Sequence, residues 1–228
     1  QKQTIRMDYH DKFLARDVRE RLSDILQEQV NRDGKQPAIR PNSRITTKDV
    51  QFGKKTNQIK GISRAMMRLT KLQQFYIANS PITAEEFFVD VKETSPFYEE
   101  QAEWSWNNLE SLTDVEIYNC AELDRLPMEM FDEDGLPELQ SLNIACNSGI
   151  SAEQLKKDWI SIIEGNSGDR LQLLYMGYNN LKEFPEYEYL SKMVKLALLD
   201  CTHNQIETLH PFGKNVNLTK FYLDNNQI

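Results

Sequence analysis

Six stretches of this chain repeat one spacing: apolar residues at positions one, four and six, a small polar residue at nine, and an apolar residue at or next to eleven. In order they are Leu72–Phe75–Ile77–Ser80–Ile82, Leu112–Val115–Ile117–Cys120–Leu123 and Leu139–Leu142–Ile144–Asn147–Ile150. Then come Leu171–Leu174–Met176–Asn179–Leu181, Leu196–Leu199–Cys201–Asn204–Ile206 and Leu218–Phe221–Leu223–Asn226–Ile228. Apolar residues two apart put both side chains on one face of a short strand. A coil of one such strand and a return path cannot bury its apolar side alone, so the coils must stack, strand beside strand, into a parallel sheet. At position nine the chain leaves the strand, and an asparagine amide there can both donate and accept for backbone groups that lose their ladder partners.

The spacing between successive position-nine residues is uneven. The steps are 40, 27, 32, 25 and 22 residues, and a degenerate opening repeat over 49–71, with Val50 and Phe52 as its strand and Asn57 at its turn, precedes them by 23. Insertions fall on the return side of a coil. Thr83-Ala-Glu-Glu86 matches a capping box and predicts a helix toward Val91, and Pro96 predicts another toward Leu109. Ser151-Ala-Glu-Gln154 predicts a helix with Leu155, Trp159, Ile162 and Ile163 on one side, closed near Gly165-Asn166. The short later steps, broken by Pro185 and Pro211, leave room only for extended or one-turn segments.

Ahead of the repeats, Phe13, Leu14, Val18, Leu22, Ile25, Leu26 and Val30 make a helical stripe that Asp33-Gly34 and Pro37 close. Its polar face mixes acids with bases, which fits a cap over the first coil better than a membrane-surface helix. The expected division is therefore a cap and linker over 1–48 and a solenoid over 49–228.

Leu112-Thr-Asp-Val-Glu-Ile-Tyr-Asn-Cys120, Asn143-Ile-Ala-Cys-Asn-Ser-Gly-Ile-Ser151 and Met176-Gly-Tyr-Asn-Asn-Leu-Lys-Glu-Phe-Pro185 carry a resemblance. The template is similar to the leucine-rich repeat, LxxLxLxxN/CxL. Over roughly 45–228 the chain resembles leucine-rich repeat proteins of gut Bacteroidetes, which have no established activity. The resemblance implies an α/β solenoid with a parallel sheet on its concave face and helices and irregular segments on the convex side. It also implies export, to the cell surface or outer membrane, and often a lipid anchor.

Residues between the apolar positions point out of the sheet and form the concave surface. Position five gives Tyr76, Glu116, Asn143, Tyr175, Asp200 and Tyr222; the pair at seven and eight adds Tyr118, Tyr178 and His203 among others. Five of the chain's nine tyrosines fall here. Tyrosine offers a large contact area at low entropic cost, which suits recognition, although strand propensity alone also places it in sheets. The expected ligand is a protein first and a glycan second. Tyrosines would anchor it, and Glu116 and Asp200 would select basic or hydroxyl-rich groups.

Chemistry finds little support. His10, His203 and His210 show no metal-ligand spacing, and Asp200 with His203 lacks a nucleophile, so no catalytic residue, metal or cofactor is expected. Cys120, Cys146 and Cys201 fall on different coils as small buried residues and make no disulfide framework. No run is apolar enough to span a membrane.

Charge is divided along the chain. Residues 1–72 hold 17 bases and 8 acids, whereas 73–228 hold 10 and 27. Nine bases stand against one acid in 40–71, and 17 acids against two bases in 83–138. With Phe52 the only aromatic in the basic stretch, base stacking and hence nucleic acid are disfavoured; neutralisation by the acidic stretch is the expected outcome. The sequence stops at Ile228, position eleven of a repeat. The expectation is that the natural chain continues with further repeats, or that this end is covered by another molecule.

Overall fold

A computed structural model describes residues 3–7, 61–90, 104–212 and 215–228. The helical stripe and linker expected from Asp8 to Lys48, and the strand expected at Val50 and Phe52, lie outside these residues. So does the helix expected from Pro96, except for its last turn.

The strands are β1 (Gln3–Met7), β2 (Ile62–Ser63), β3 (Leu72–Ala78), β4 (Phe88–Val89), β5 (Asp114–Tyr118), β6 (Ser141–Asn143), β7 (Leu173–Tyr175), β8 (Leu198–Asp200) and β9 (Lys220–Tyr222). Seven form one parallel sheet in the order β1-β3-β5-β6-β7-β8-β9, so each regular repeat contributes one strand in sequence order. The register keeps the template aligned: Phe75 pairs with Val115, Val115 with Leu142, Leu142 with Leu174, Leu174 with Leu199, and Leu199 with Phe221. Behind the sheet the template residues form one continuous core from Ile62 to Ile206.

The edge strand β1 was not expected. Its Ile5 and Met7 fall opposite Phe75 and Ile77, the positions a repeat strand requires. Their single alternation is too short to distinguish from the helical stripe that follows it in sequence. At the opposite edge, β9 has a neighbouring strand on one side only, and its Phe221 is 37% exposed where the equivalent Leu199 is fully buried.

The position-nine asparagines join coil to coil as the template requires. Asn147 Nδ2 donates to Ile117 O and Ile144 O, at 2.7 and 2.9 Å, and its Oδ1 accepts from Cys120 N–H. Asn179 repeats the arrangement with Ile144 O, Met176 O and Asn147 N–H. Asn204 and Asn226 do the same, except that their Oδ1 accepts from position eleven of the preceding coil, at Leu181 and Ile206. In the first two coils the position-nine side chains bond within their own coil: Ser80 Oγ donates to Ala78 O and Cys120 Sγ to Tyr118 O. Burial pushes the Cys120 thiol up to about 12.

The return side follows the step lengths. The 32-residue step accommodates α1 (Ala152–Glu164), capped by Ser151, whose Oγ accepts from Gln154 N–H at 3.2 Å. Leu155, Trp159, Ile162 and Ile163 are buried as expected. The helix ends at Gly165, where a Cβ would sit 1.7 Å from Phe131 O, so no other residue fits there. After Pro185 there is a single turn, α2 (Tyr187–Leu190).

Thr83–Glu86 does not open a helix. Thr83 Oγ1 accepts from Glu86 N–H at 3.3 Å, as a cap would, but the turn stops there. Phe87 and Phe88 are both buried, and Phe88–Val89 pairs with Ile62–Ser63, so tertiary pairing overrides the local signal. The last turn of the second expected helix is a 3-10 turn, Trp106–Asn108.

Charge neutralisation between the basic and acidic stretches occurs at Arg64. Its guanidinium pairs with Glu129, donates to Asp90 at 3.0 Å, and lies 5.9 Å from the Phe88 ring centroid. Among the described residues, no helix is long and apolar enough to cross a membrane.

Candidate recognition face

Because Cβ direction alternates along a strand, positions three, five and seven share the face opposite the core. The register turns the position-five residues into one unbroken row across the sheet. Tyr76 stands opposite Glu116, Glu116 opposite Asn143, Asn143 opposite Tyr175, Tyr175 opposite Asp200, and Asp200 opposite Tyr222. On β1 the backbone of Arg6 is in register with Tyr76.

Neighbours in this row interact. Asn143 Nδ2 donates to Glu116 Oε2 at 3.3 Å. Partial burial raises the Tyr175 hydroxyl above its ordinary pKa, and the Asp200 charge adds to the effect. Two members also serve the backbone: Asn143 Oδ1 accepts from Ala145 N–H at 3.0 Å, and Asp200 Oδ1 from Thr202 N–H at 2.9 Å. An Asn or Asp at position five thus satisfies the N–H at position seven, a structural task beside any role in binding.

The residue at position eight behaves differently. In all six coils it is a non-glycine residue with positive φ: Asn79 at 52°, Asn119 at 52°, Cys146 at 62°, Tyr178 at 56°, His203 at 52° and Asn225 at 59°. The left-handed turn points its N–H at the position-seven carbonyl of the next coil, from Asn79 to Tyr118 at 3.0 Å and from Tyr178 to Thr202 at 2.9 Å. The sheet's ladder thereby extends past the strand, which offsets the steric cost of αL for these side chains.

These residues form a rim along one side of the face. Asn119 Nδ2 donates to Asn79 Oδ1 at 2.5 Å. Tyr118 and Cys146 neighbour each other here, and burial, the larger cause, raises the pKa of both groups. The rings of Tyr178 and His203 stack with centroids 4.1 Å apart and planes 13° apart, and Asn225 Nδ2 donates to His203 Nε2 at 2.9 Å.

All nine residues singled out in the sequence therefore fall on one surface, in the central row or at its rim. His203 turns to Tyr178 and Asn225, while Asp200 holds the Thr202 amide, so the two engage different partners. Among the described residues, no group of three or more His, Cys, Asp or Glu side chains converges as a metal site would.

The row at position three was missed. It consists of Gln74, Asp114, Ser141, Leu173, Leu198 and Lys220, and it adds an adjacent apolar pair, since Leu173 stands opposite Leu198. The period of two that selected position five selects position three equally.

No protein-family model matches the chain, and no curated protein matches it. Solved structures do. A leucine-rich repeat protein from Bacteroides thetaiotaomicron is 50% identical, with a TM-score of 0.71, over 95% of this chain and 26% of that one. A leucine-rich repeat protein from Bacteroides eggerthii is 41% identical, with a TM-score of 0.67, over 92% of this chain and 36% of that one. The chain thus spans roughly a quarter to a third of the length of these two proteins. Identity at this level over nearly the whole chain, together with six coils in a common register, makes it a leucine-rich repeat protein of the kind found in Bacteroides.

Proposed function

We propose that the protein is a non-enzymatic recognition module that binds another protein on the concave face of its sheet. The observation behind this reading is the uninterrupted position-five row, in which Tyr76, Tyr175 and Tyr222 are interspersed with Glu116, Asn143 and Asp200. Large aromatic contacts interleaved with hydrogen-bonding groups are what a macromolecular interface uses for anchorage and selection. A parallel sheet with one strand per coil holds them on a rigid support, so little ordering cost falls on the binding step. The resemblance to exported proteins of gut Bacteroidetes supports a place at the cell surface, as part of a larger recognition protein.

The test is capture from the native environment by the immobilised protein and by its Tyr175→Ala/Tyr178→Ala variant, with folding of both verified by circular dichroism. Capture of a protein by the parent and its loss with the variant is the expected result. Capture indifferent to the double substitution would leave the solenoid as a spacer or scaffold, and retention of a glycan instead of a protein would correct the partner's class.

A further inference from the structure

Asp200 carries a charge that its structural task does not need. At position five of β8, its Oδ1 accepts from Thr202 N–H at 2.9 Å. Asn143, at the same position of β6, makes the same bond to Ala145 N–H at 3.0 Å with a neutral amide. The bond needs an acceptor oxygen, which an asparagine supplies without charge. Among the described residues, Asp200 Oδ2 has no hydrogen-bond or ion-pair partner, and the side chain is half-buried, open to solvent.

Two tyrosines bracket this carboxylate. Tyr175 on β7 and Tyr222 on β9 are the direct cross-strand partners of Asp200, and all three side chains leave the sheet on its concave face. Partial burial raises the Tyr175 hydroxyl above its ordinary pKa, and Asp200 and Tyr222 both add to the rise, as close neighbours do. Tyr222 is 42% exposed. At position three, Leu173 and Leu198 stand opposite each other on the same strands as Tyr175 and Asp200, with Leu173 half-buried.

Charge and acceptor geometry select what fits here. At positions three, five and seven, the six coils hold Asp114, Glu116, Asp200 and Asp224 against Lys220 alone. Lys220 is in register with Leu198, and among the described residues it forms no ion pair, so the Asp200 charge stays unmatched. With Oδ1 engaged by the Thr202 amide, the carboxylate presents one oxygen rather than the parallel pair that a guanidinium fork matches. An ammonium is a compact point charge with three donors, suited to one carboxylate oxygen and the tyrosine hydroxyls on either side. Its methylene stem can lie along Leu173, and its charge is favoured near aromatic faces.

Resting on the reading of this face as a protein-binding surface, we propose that Asp200, between Tyr175 and Tyr222, receives a lysine side chain of the partner. The ammonium donates to Asp200 Oδ2, and the two phenols border it. The partner is then a protein that presents an exposed lysine to coils four to six.

NMR titration of the isotope-labelled protein with an acetylated, amidated tripeptide bearing a central lysine tests this. Its Nε-acetyl-lysine and arginine counterparts and a methyl glucoside serve as comparison probes. The lysine peptide should shift the Tyr175 and Tyr222 ring signals and the Thr202 amide. The Nε-acetylated counterpart, which keeps the stem and lacks the charge, should bind about fivefold or more weakly. Asp200→Asn keeps an acceptor for Thr202 N–H, so its amide spectrum should stay that of the parent while lysine binding falls by a similar factor. Tyr222→Ala should weaken the lysine peptide as well. Absence of shifts at Tyr175 and Tyr222, equal binding of the acetylated peptide, or tighter binding of the arginine peptide would overturn the proposal. So would a stronger response to the glucoside, or an Asp200→Asn variant that either fails to fold or binds lysine as the parent does. Failure here, with capture still abolished by Tyr175→Ala/Tyr178→Ala, would remove the lysine and leave the recognition face; capture indifferent to the double variant would remove the face itself.

Discussion

At the scale of single residues, the repeat is held by two side-chain positions with opposite demands. From the third coil on, position nine supplies an amide that bonds in three directions, and Asn179 does so with Ile144 O, Met176 O and Asn147 N–H, all at 3.0 Å or less. Asn179→Ala leaves these buried groups unpaired and should cost about 1–3 kcal/mol in a urea denaturation series. An unchanged midpoint would show that the ladder does not bear on stability. Position eight instead demands a backbone conformation. At Tyr178, with φ of 56°, glycine should be more stable than alanine by about 1 kcal/mol, the reverse of their order at ordinary strand or helix positions. Comparison of the two melting temperatures checks this directly. The first demand was legible because asparagine recurs at a fixed place. The second was only partly legible: Asn79, Asn119, His203 and Asn225 are of types enriched in αL, but nothing in Cys146 or Tyr178 announces it.

Among the elements, α1 shows how a return segment is fastened to the solenoid. Asp158, on its inner side, is buried, with Oδ2 accepting from Leu126 N–H at 2.8 Å and Oδ1 accepting from Gln154 Nε2 at 2.7 Å. Burial raises its pKa, and the two hydrogen bonds oppose that shift. Asp158→Ala should destabilise by roughly 1–3 kcal/mol, since the Leu126 amide loses its partner. Lys157→Ala, one residue away but facing water with Glu153, should leave the denaturation midpoint where it was. Equal effects of the two would mean that α1 is not held through Asp158. The helix itself was readable because its cap, its apolar stripe and its closing Gly165 all lie within 15 residues, from 151 to 165. Thr83–Glu86 carries an equally good cap and forms no helix. The competing partner of Phe88–Val89 is Ile62–Ser63, 26 residues upstream, and no local pattern reveals it.

For the molecule as a whole, the sheet is the element that turns separate repeats into one surface. Its order was legible because identical coils can stack only in sequence. Its β1 edge was not, since five residues with one alternation do not stand out from the stripe beside them. The same register that aligns the core aligns Tyr76, Glu116, Asn143, Tyr175, Asp200 and Tyr222, so the proposed recognition face is a by-product of the packing rule. The tyrosines also report on it. Tyr175, Tyr178 and Tyr222 lie on the concave face, whereas Tyr187, 49% exposed, begins α2 on the return side. Hydroxyl-radical footprinting of the protein with and without its captured partner therefore tests the central claim most directly. Oxidation of Tyr175, Tyr178 and Tyr222 should fall on binding while that of Tyr187 holds steady; protection of Tyr187 with the three concave tyrosines unchanged would contradict the account.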